Sequence, residues 1–301
     1  MKERLARFLL RLLEAVPLPV LALVLERLMW PVWAVDRKHR RIARINLRIA
    51  FPEMGDEEAA SIIRRSYLRL GTLAAEFIHI PKMDDRYIRE HFRIEGLEHL
   101  RNSWEREGRP CMAMTGHFGN WELLSHVYGA VVAPAAFIVK PLRSPILDAI
   151  VTERRQWAGN TVIRQTESAR EVMRFLRRKV LVGILIDQNV DRHKGILVDF
   201  FSRKTYTTDG IARLAFAMRA AIHPGFIFGD PSRKFHHVLR FGPAVRIDYG
   251  APRDEEIPRI TRRCNEELEK AIREAPDHWI WFQPRWKSRH ADEPDVYGEG
   301  R

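Results

Sequence analysis

Cysteine is scarce in this chain: its 301 residues include two, Cys111 and Cys264, which lie far apart. Two such cysteines indicate no disulfide framework, so we expect a reducing compartment. Cys111 begins a short apolar run, and this setting predicts an inert core thiol rather than a thioester nucleophile.

The chain also lacks an unbroken apolar segment of the roughly 20 residues that a membrane-spanning helix needs. Apolar N-terminal material is split into residues 15–25, which contain two prolines, and residues 28–35, with a Glu-Arg pair between them. No small-residue cleavage site follows a continuous apolar region, so the pattern is not typical of a cleaved signal peptide.

This N-terminal region instead has the marks of a membrane-surface segment. Trp30 and Trp33 suit a headgroup interface. A basic cluster follows at Arg37, Lys38, Arg40, Arg41, Arg44 and Arg48. We therefore expect residues 1–52 to be a monotopic anchor in the cytoplasmic leaflet of a membrane. A short tilted span is the alternative, and residues 15–25 could also belong to an ordinary core helix pair.

Several site-forming motifs are missing. The sequence has no Gly-x-Ser-x-Gly elbow and no phosphate-binding glycine loop. Its scattered histidines lack metal-binding spacing, namely His193, His223, His236 and His237. We therefore predict no metal and no cofactor.

Basic residues are in excess, with 51 Lys and Arg against 39 Asp and Glu and a formal net charge of +12. Such a balance favours anionic partners: a lipid leaflet, a phosphorylated glycolipid, an acidic carrier protein or a nucleic acid. No aromatic RNA-binding signature, zinc-finger spacing or basic heptad region supports the nucleic acid.

Strand-like and helix-like segments alternate after the anchor. The strand-like ones are residues 110–114, 135–139, 180–186, 225–228 and 238–241. The helix-like ones are residues 56–77, 121–127, 146–157, 169–178, 211–219 and 260–275. The alternation predicts an α/β domain over residues 53–301, with a mixed, largely parallel sheet covered by helices.

The sequence Thr-Gly-His-Phe-Gly-Asn-Trp-Glu at residues 115–122 carries the chemistry. Two glycines allow a tight turn, and Asn120 is a good N-cap for a helix. His117 would lie on that turn and Glu122 in the first helical turn. A carboxylate that holds one imidazole nitrogen lets the other take a proton from a hydroxyl, so we predict His117 and Glu122 as the catalytic pair.

With these residues the chain resembles the late acyltransferases of lipid A biosynthesis, within the lysophospholipid acyltransferase superfamily. Residues 117–122 look like the family's motif of a histidine, four spacers and an acid. Further matching blocks are Asn46-Leu47 with Phe51-Pro52, Asp187-Gln188 with Gly195 and Phe200-Phe201, residues 207–210, and Trp279, Trp281, Arg285 and Lys287. The chain departs from the common pattern at Lys140, Gln283 and Pro284.

The resemblance implies four substrate-binding candidates: Arg155, Asp187, Asn120 and Lys140. Arg155 matches the family's conserved arginine, implying contact with a substrate phosphate or with the donor. Asp187 follows an apolar strand and could orient the acceptor, order the loop or pair with a basic residue. It could equally be a turn-initiating residue, as Asn120 could be a helix cap.

The resemblance implies O-acyl transfer from acyl-carrier protein, or acyl-CoA, to a hydroxyl of a glycolipid, a lipid A precursor above all. Backbone N–H groups of residues 116–120, or a basic side chain, could stabilise the oxyanion. Alternative acceptors are a phosphatidylinositol mannoside or an ornithine lipid. A thioesterase or lipid hydrolase using the same pair on water also stays open, as does a non-catalytic membrane-binding protein.

Overall fold

The structure is a computed structural model that describes residues 2–165, 168–288 and 295–298. Its helices are α1 (Lys2–Ala15), α2 (Leu18–Val35), α3 (Arg37–Ala50), α4 (Asp56–His79), α5 (Asp85–His91), α6 (Leu97–Arg101), α7 (Trp121–Val131), α8 (Pro145–Arg155), α9 (Ser168–Arg177), α10 (Gly210–Met218) and α11 (Arg253–Glu274). Its strands are β1 (Phe92–Glu95), β2 (Cys111–Thr115), β3 (Ala136–Val139), β4 (Thr161–Arg164), β5 (Val182–Leu185), β6 (Ile196–Phe200), β7 (Arg203–Thr207), β8 (Ala221–Gly229) and β9 (His237–Phe241).

Seven strands form one sheet in the order β1-β9-β8-β2-β5-β3-β4. Neighbours are parallel except β8 and β9, which are antiparallel. Strands β6 and β7 form a separate antiparallel hairpin. The α/β class, the largely parallel sheet and its helical cover are confirmed. Residues 92–95 and 161–164 were not predicted as strands. Each segment has only four residues and includes at least one charged side chain, so its alternation signal is weak.

The N-terminal apolar material forms one continuous helix, α2, instead of two pieces. Pro19 stands in its first turn, where a proline costs no hydrogen bond, and α2 continues through Pro31. By length and composition it could cross a membrane, and 11% of it is buried. At 18 residues it is about 27 Å long, slightly shorter than a hydrocarbon core of about 30 Å.

Helix α2 lies against α4 with most of its side chains outside the protein. Gly71 of α4 permits this contact, since a Cβ there would come within 2.6 Å of the Glu26 backbone nitrogen. Leu21 and Ala22 are the buried residues of α2. Large apolar side chains remain exposed at Val20, Leu23, Val24, Leu28, Trp30, Val32 and Val35. A core helix pair at residues 15–25 is therefore wrong for most of this segment.

Helix α3 has two different sides. Ile42, Ala43 and Leu47 join the main core beneath the sheet, while the basic residues of the cluster point outward at Arg37, Lys38, Arg41, Arg44 and Arg48. The buried Asn46 amide donates to the carbonyl oxygens of Trp281 (2.8 Å) and Gln283 (2.7 Å). These bonds fix the C-terminal segment, which runs back to the site described next.

Candidate active site

Two neighbouring parallel strands bring the central residues of the site together. β2 and β5 pair in register with Thr115 opposite Leu185, and His117 and Asp187 each follow two residues later. Carboxyl ends of parallel strands meet at one edge of the sheet, so these two side chains converge. The Nδ1 atom of His117 lies 2.9 Å from Oδ1 of Asp187.

Asp187 is a buried carboxylate held by three N–H donors. Its Oδ2 accepts from the His117 backbone N–H at 2.8 Å and from the Trp279 indole N–H at 2.9 Å, and its Oδ1 faces His117 Nδ1. Burial alone raises the pKa of Asp187, but the charge and hydrogen bonds of His117 and the indole bond outweigh burial and lower this pKa. Asp187 is therefore an anion that fixes both the ring and the backbone of His117.

This contact fixes the chemistry of the imidazole. Since Asp187 is ionised, its Oδ1 accepts a hydrogen bond from the protonated Nδ1, which leaves Nε2 with the lone pair. Burial lowers the pKa of His117, but the Asp187 charge and hydrogen bond outweigh it and raise this pKa overall. The His117 side chain is 19% exposed. Its ring meets Trp121 edge-on at 5.0 Å between centroids.

Glu122 does not hold the imidazole, contrary to the sequence-based expectation. Its carboxylate forms a two-point pair with Arg155, from Nε to Oε2 at 2.8 Å and from Nη2 to Oε1 at 2.6 Å. The Trp121 indole also donates to Oε1 at 3.1 Å. The first turn of α7 directs Glu122 toward α8. The carboxylate at Nδ1 of His117 is instead that of Asp187, which follows the neighbouring strand β5. Glu122 still acts on His117 through its charge, which raises the pKa of the imidazole.

Arg155 lies where the prediction placed it, at the end of α8, and there it pairs with Glu122. Burial lowers the pKa of its guanidinium, but the hydrogen bonds and charge of Glu122 raise it overall. The neighbouring Arg154 turns away and binds Glu14 of α1. Lys140 lies exposed in the connection from β3 to α8. Substrate binding by Arg155 and Lys140 stays a prediction.

The turn that carries His117 is tightly bonded within the protein. Gly119 has φ of 59°, and a Cβ there would come within 1.9 Å of the Ile227 carbonyl oxygen, so glycine is required. The N–H of Phe118 donates to Gly116 at 2.8 Å, and that of Gly119 donates to His278 at 2.9 Å. With the His117 N–H on Asp187, three amides of the turn are already engaged. The expected backbone oxyanion site at residues 116–120 therefore does not have these three donors available.

A side-chain amide lies beside Nε2 of His117 instead. Nε2 of the Gln188 carboxamide is 3.4 Å from Nε2 of His117, and the Gln188 side chain is exposed. Gln188 belongs to the Asp187-Gln188 block that matches the family, but no role was predicted for it. Its position directly after the strand-end Asp187 was the available signal.

Asn120 is confirmed as the N-cap of α7, because its side-chain oxygen accepts from the Leu123 N–H. Its amide nitrogen donates to Glu76 of α4 at 2.9 Å, and the other Glu76 oxygen lies 2.6 Å from His237 Nε2. All three side chains are buried. Substrate contact by Asn120, as predicted, is at odds with this burial, and its place is structural. Nothing in the sequence of α4 pointed to Glu76.

Cys111 is a core residue of β2 and 2% exposed. Burial raises the pKa of its thiol to about 11. A thiol that stays protonated at neutral pH is a poor nucleophile, which fits the predicted inert core position.

Comparisons with known proteins decide the family. The sequence model described as "Bacterial lipid A biosynthesis acyltransferase" matches residues 4–288. The chain belongs to this family. It is similar to the lipid A biosynthesis palmitoleoyltransferase of Escherichia coli (strain K12), with 25% identity over 93% of this chain and 89% of the relative.

Two further relatives from the same organism are similar over most of their length. They are the lipid A biosynthesis lauroyltransferase, with 22% identity over 87% of this chain and 83% of the relative, and the lipid A biosynthesis myristoyltransferase, with 22% identity over 87% and 80%. In this acyltransferase, the imidazole of His117 is held by the buried carboxylate of Asp187, and the Glu122–Arg155 pair and the Gln188 amide lie near it.

Proposed function

We propose that this acyltransferase moves a fatty acyl chain from an acyl thioester, on acyl-carrier protein or coenzyme A, to a hydroxyl of a lipid A precursor. The observation that carries the proposal is the His117–Asp187 pair, which presents a basic Nε2 at the carboxyl edge of the sheet. The names of the relatives, each a lipid A biosynthesis acyltransferase, support the acceptor class.

The proposed chemistry is a direct transfer. Nε2 of His117 takes the proton of the acceptor hydroxyl as its oxygen bonds to the thioester carbonyl carbon. Asp187 stabilises the imidazolium that forms. The tetrahedral intermediate then collapses, the carbon–sulfur bond breaks, and the imidazolium returns the proton to the leaving thiolate. No covalent acyl-enzyme is formed.

Two polar side chains near His117, Gln188 and Arg155, have roles in this proposal. The Gln188 carboxamide can donate an N–H to the developing oxyanion, since it already lies next to the reacting nitrogen. Glu122 fixes the plane of the Arg155 guanidinium with two hydrogen bonds. Guanidinium groups bind phosphate with good geometry, so we assign Arg155 to a phosphate of the acceptor or of the donor arm.

Residues 1–52 form the membrane-associating part in this proposal. Exposed apolar side chains of α2 contact the lipid, and the outward basic face of α3 binds anionic headgroups on the cytoplasmic face of the inner membrane. The contact of α2 with α4 keeps this segment beside the catalytic domain, which supports an interfacial position over a tilted span.

Product analysis tests the proposal. Purified full-length protein is incubated with acyl-carrier-protein or coenzyme A thioesters, with and without a lipid A precursor, and the products are identified by mass spectrometry. We expect a mass increase of one acyl group on the precursor and little donor consumption without it. Free fatty acid formed equally in both reactions would support a hydrolase instead. Transfer to a phosphatidylinositol mannoside or an ornithine lipid, with none to the precursor, would move the activity to that lipid.

A further inference from the structure

Glu76 is a buried carboxylate that has no part in the proposed chemistry. It lies near the end of α4 and is 1% exposed. Taking a carboxylate out of water is costly unless hydrogen bonds satisfy its oxygens. Its Oε2 accepts from the Asn120 amide at 2.9 Å, and its Oε1 lies 2.6 Å from Nε2 of His237. Three elements therefore meet at this side chain: α4, β9 and the turn that carries His117.

The carboxylate fixes the direction of the Asn120 amide. An ionised carboxylate only accepts hydrogen bonds, so it binds the nitrogen end of the carboxamide and leaves the oxygen end facing α7. That oxygen accepts from the Leu123 N–H and caps the helix. An N-cap asparagine does not need a buried carboxylate to cap a helix. The bond to Glu76 therefore has a second effect, which is to hold Asn120 in one orientation and attach it to α4.

Asn120 ends the turn that carries His117. The backbone of this turn bonds to partners at the sheet edge and in the C-terminal segment, namely Asp187, His278 and Ile280. The bond from Asn120 to Glu76 joins the same turn to a helix. Trp121 and Glu122 follow directly, and the Trp121 ring meets the imidazole edge-on at 5.0 Å between centroids. A shift of Asn120 would therefore move both the turn and a group packed against the base.

We propose that Glu76 is a positioning residue for acyl transfer, because its hold on Asn120 keeps the base His117 in place against the acceptor hydroxyl. The inference rests on the proposed role of His117 as the base, and it holds for any lipid acceptor. Glu76 and Asn120 are 1% and 5% exposed, too buried for a substrate to reach. Loss of their bond should therefore lower kcat and leave KM unchanged. A misplacement of about 1 Å at a reacting group costs about 10²-fold in rate.

An exchange of the two polar groups tests this role. In Asn120→Asp the cap oxygen is kept, but two carboxylates face each other where the native protein has a donor and an acceptor. In Glu76→Gln a single amide oxygen faces the two donors of Asn120 and His237, so one bond is lost. In the double variant the new glutamine amide donates to the new aspartate, and its oxygen accepts from His237. Both bonds are then restored with reversed polarity and the native net charge.

We expect each single variant to lower kcat by roughly 10- to 10²-fold with a native KM, and the double variant to recover most of the lost rate. Glu256→Gln is the matched control and should keep native kcat. Glu256 is also buried, at 0% exposure, and accepts from the Asp248 N–H at 3.0 Å. It lies about 18 Å along α11 from Leu268, the residue beside Gly116. Circular dichroism at the assay temperature checks folding.

Several results would overturn the inference. Native kcat in both single variants would do so, as would a double variant that stays as slow as the slower single variant. A single variant that does not fold would show that the bond maintains the fold rather than the position of the base. A raised KM with native kcat would place the two residues in substrate binding instead.

These results are separate from a failure of the proposed function. If the native protein does not acylate the lipid A precursor, that acceptor is wrong. The variants are then compared on the reaction that the native protein does perform, which is acylation of another lipid or hydrolysis of the thioester. His117 is the base in each of these reactions, so the same pattern of loss and recovery is expected.

Discussion

The Asp187→Asn variant should lose most activity although it changes a single side-chain atom. Asp187 receives three N–H donors, two of them on Oδ2 from the His117 backbone and the Trp279 indole. Asparagine has one oxygen, and these two fixed donors require it. The new NH₂ group then faces Nδ1 of His117, which must accept, so the imidazole proton moves to Nε2. The base is lost from the reacting position while the shape is kept.

The expected loss is large. A wrong histidine tautomer of this kind costs about 10⁴-fold in the serine-protease example from which the magnitude comes, and loss of a general base costs about 10²–10⁴-fold. We therefore expect kcat/KM for acyl transfer to fall by roughly 10³-fold. The assay is the initial rate of transfer to the lipid A precursor, with circular dichroism as the control for folding.

The pH profile separates this explanation from a general loss of structure. His117 must be neutral to accept a proton, so activity falls on the acid side as the imidazole is protonated. Because Asp187 raises the pKa of His117, the native acid limb should lie above the ordinary histidine value of about 6.5. In Asp187→Asn, burial still lowers the pKa of His117, but the opposing negative charge is gone. The acid limb of the remaining activity should therefore move to lower pH. Native-like kcat/KM, or an unmoved limb, would refute the reasoning.

Three further variants test neighbouring residues in the same transfer assay. Glu122→Gln should lower kcat/KM by about 10²-fold, since it removes the charge that pairs with Arg155 and raises the pKa of His117; full activity would reduce Glu122 to a helix-start residue. Gln188→Ala should lower kcat by about 10²-fold with little change in KM if its amide meets the oxyanion, and a change in KM alone would contradict that role. Cys111→Ala should keep native activity and form no acyl-enzyme with donor alone, so a trapped thioester on native Cys111, detected by mass spectrometry, would overturn direct transfer.

Much of this site could be predicted because its signals are local. The glycines, the N-cap at Asn120 and the apolar strand at Cys111–Thr115 all act within a few residues, and the structure has the predicted strand, turn and helix there. The strand-end position of Asp187 was equally visible.

The partners of these residues were not visible because they depend on which strands are neighbours. Glu122 is close to His117 in sequence. Because β2 and β5 are adjacent, however, the imidazole of His117 contacts Asp187 instead. The bond from Asn120 to Glu76 joins residues 44 positions apart. Strand order and helix packing set such pairs, and no spacing rule in a single sequence encodes them.

The central claim is that Nε2 of His117 is the base for acyl transfer to a lipid A precursor. The most direct measurement compares native protein with His117→Ala in a transfer reaction that contains thioester donor and precursor, with product quantified by mass spectrometry. We predict that the variant folds, binds anionic vesicles as the native protein does, and loses about 10²–10⁴-fold in transfer rate. Transfer by the folded variant at close to the native rate would contradict the account.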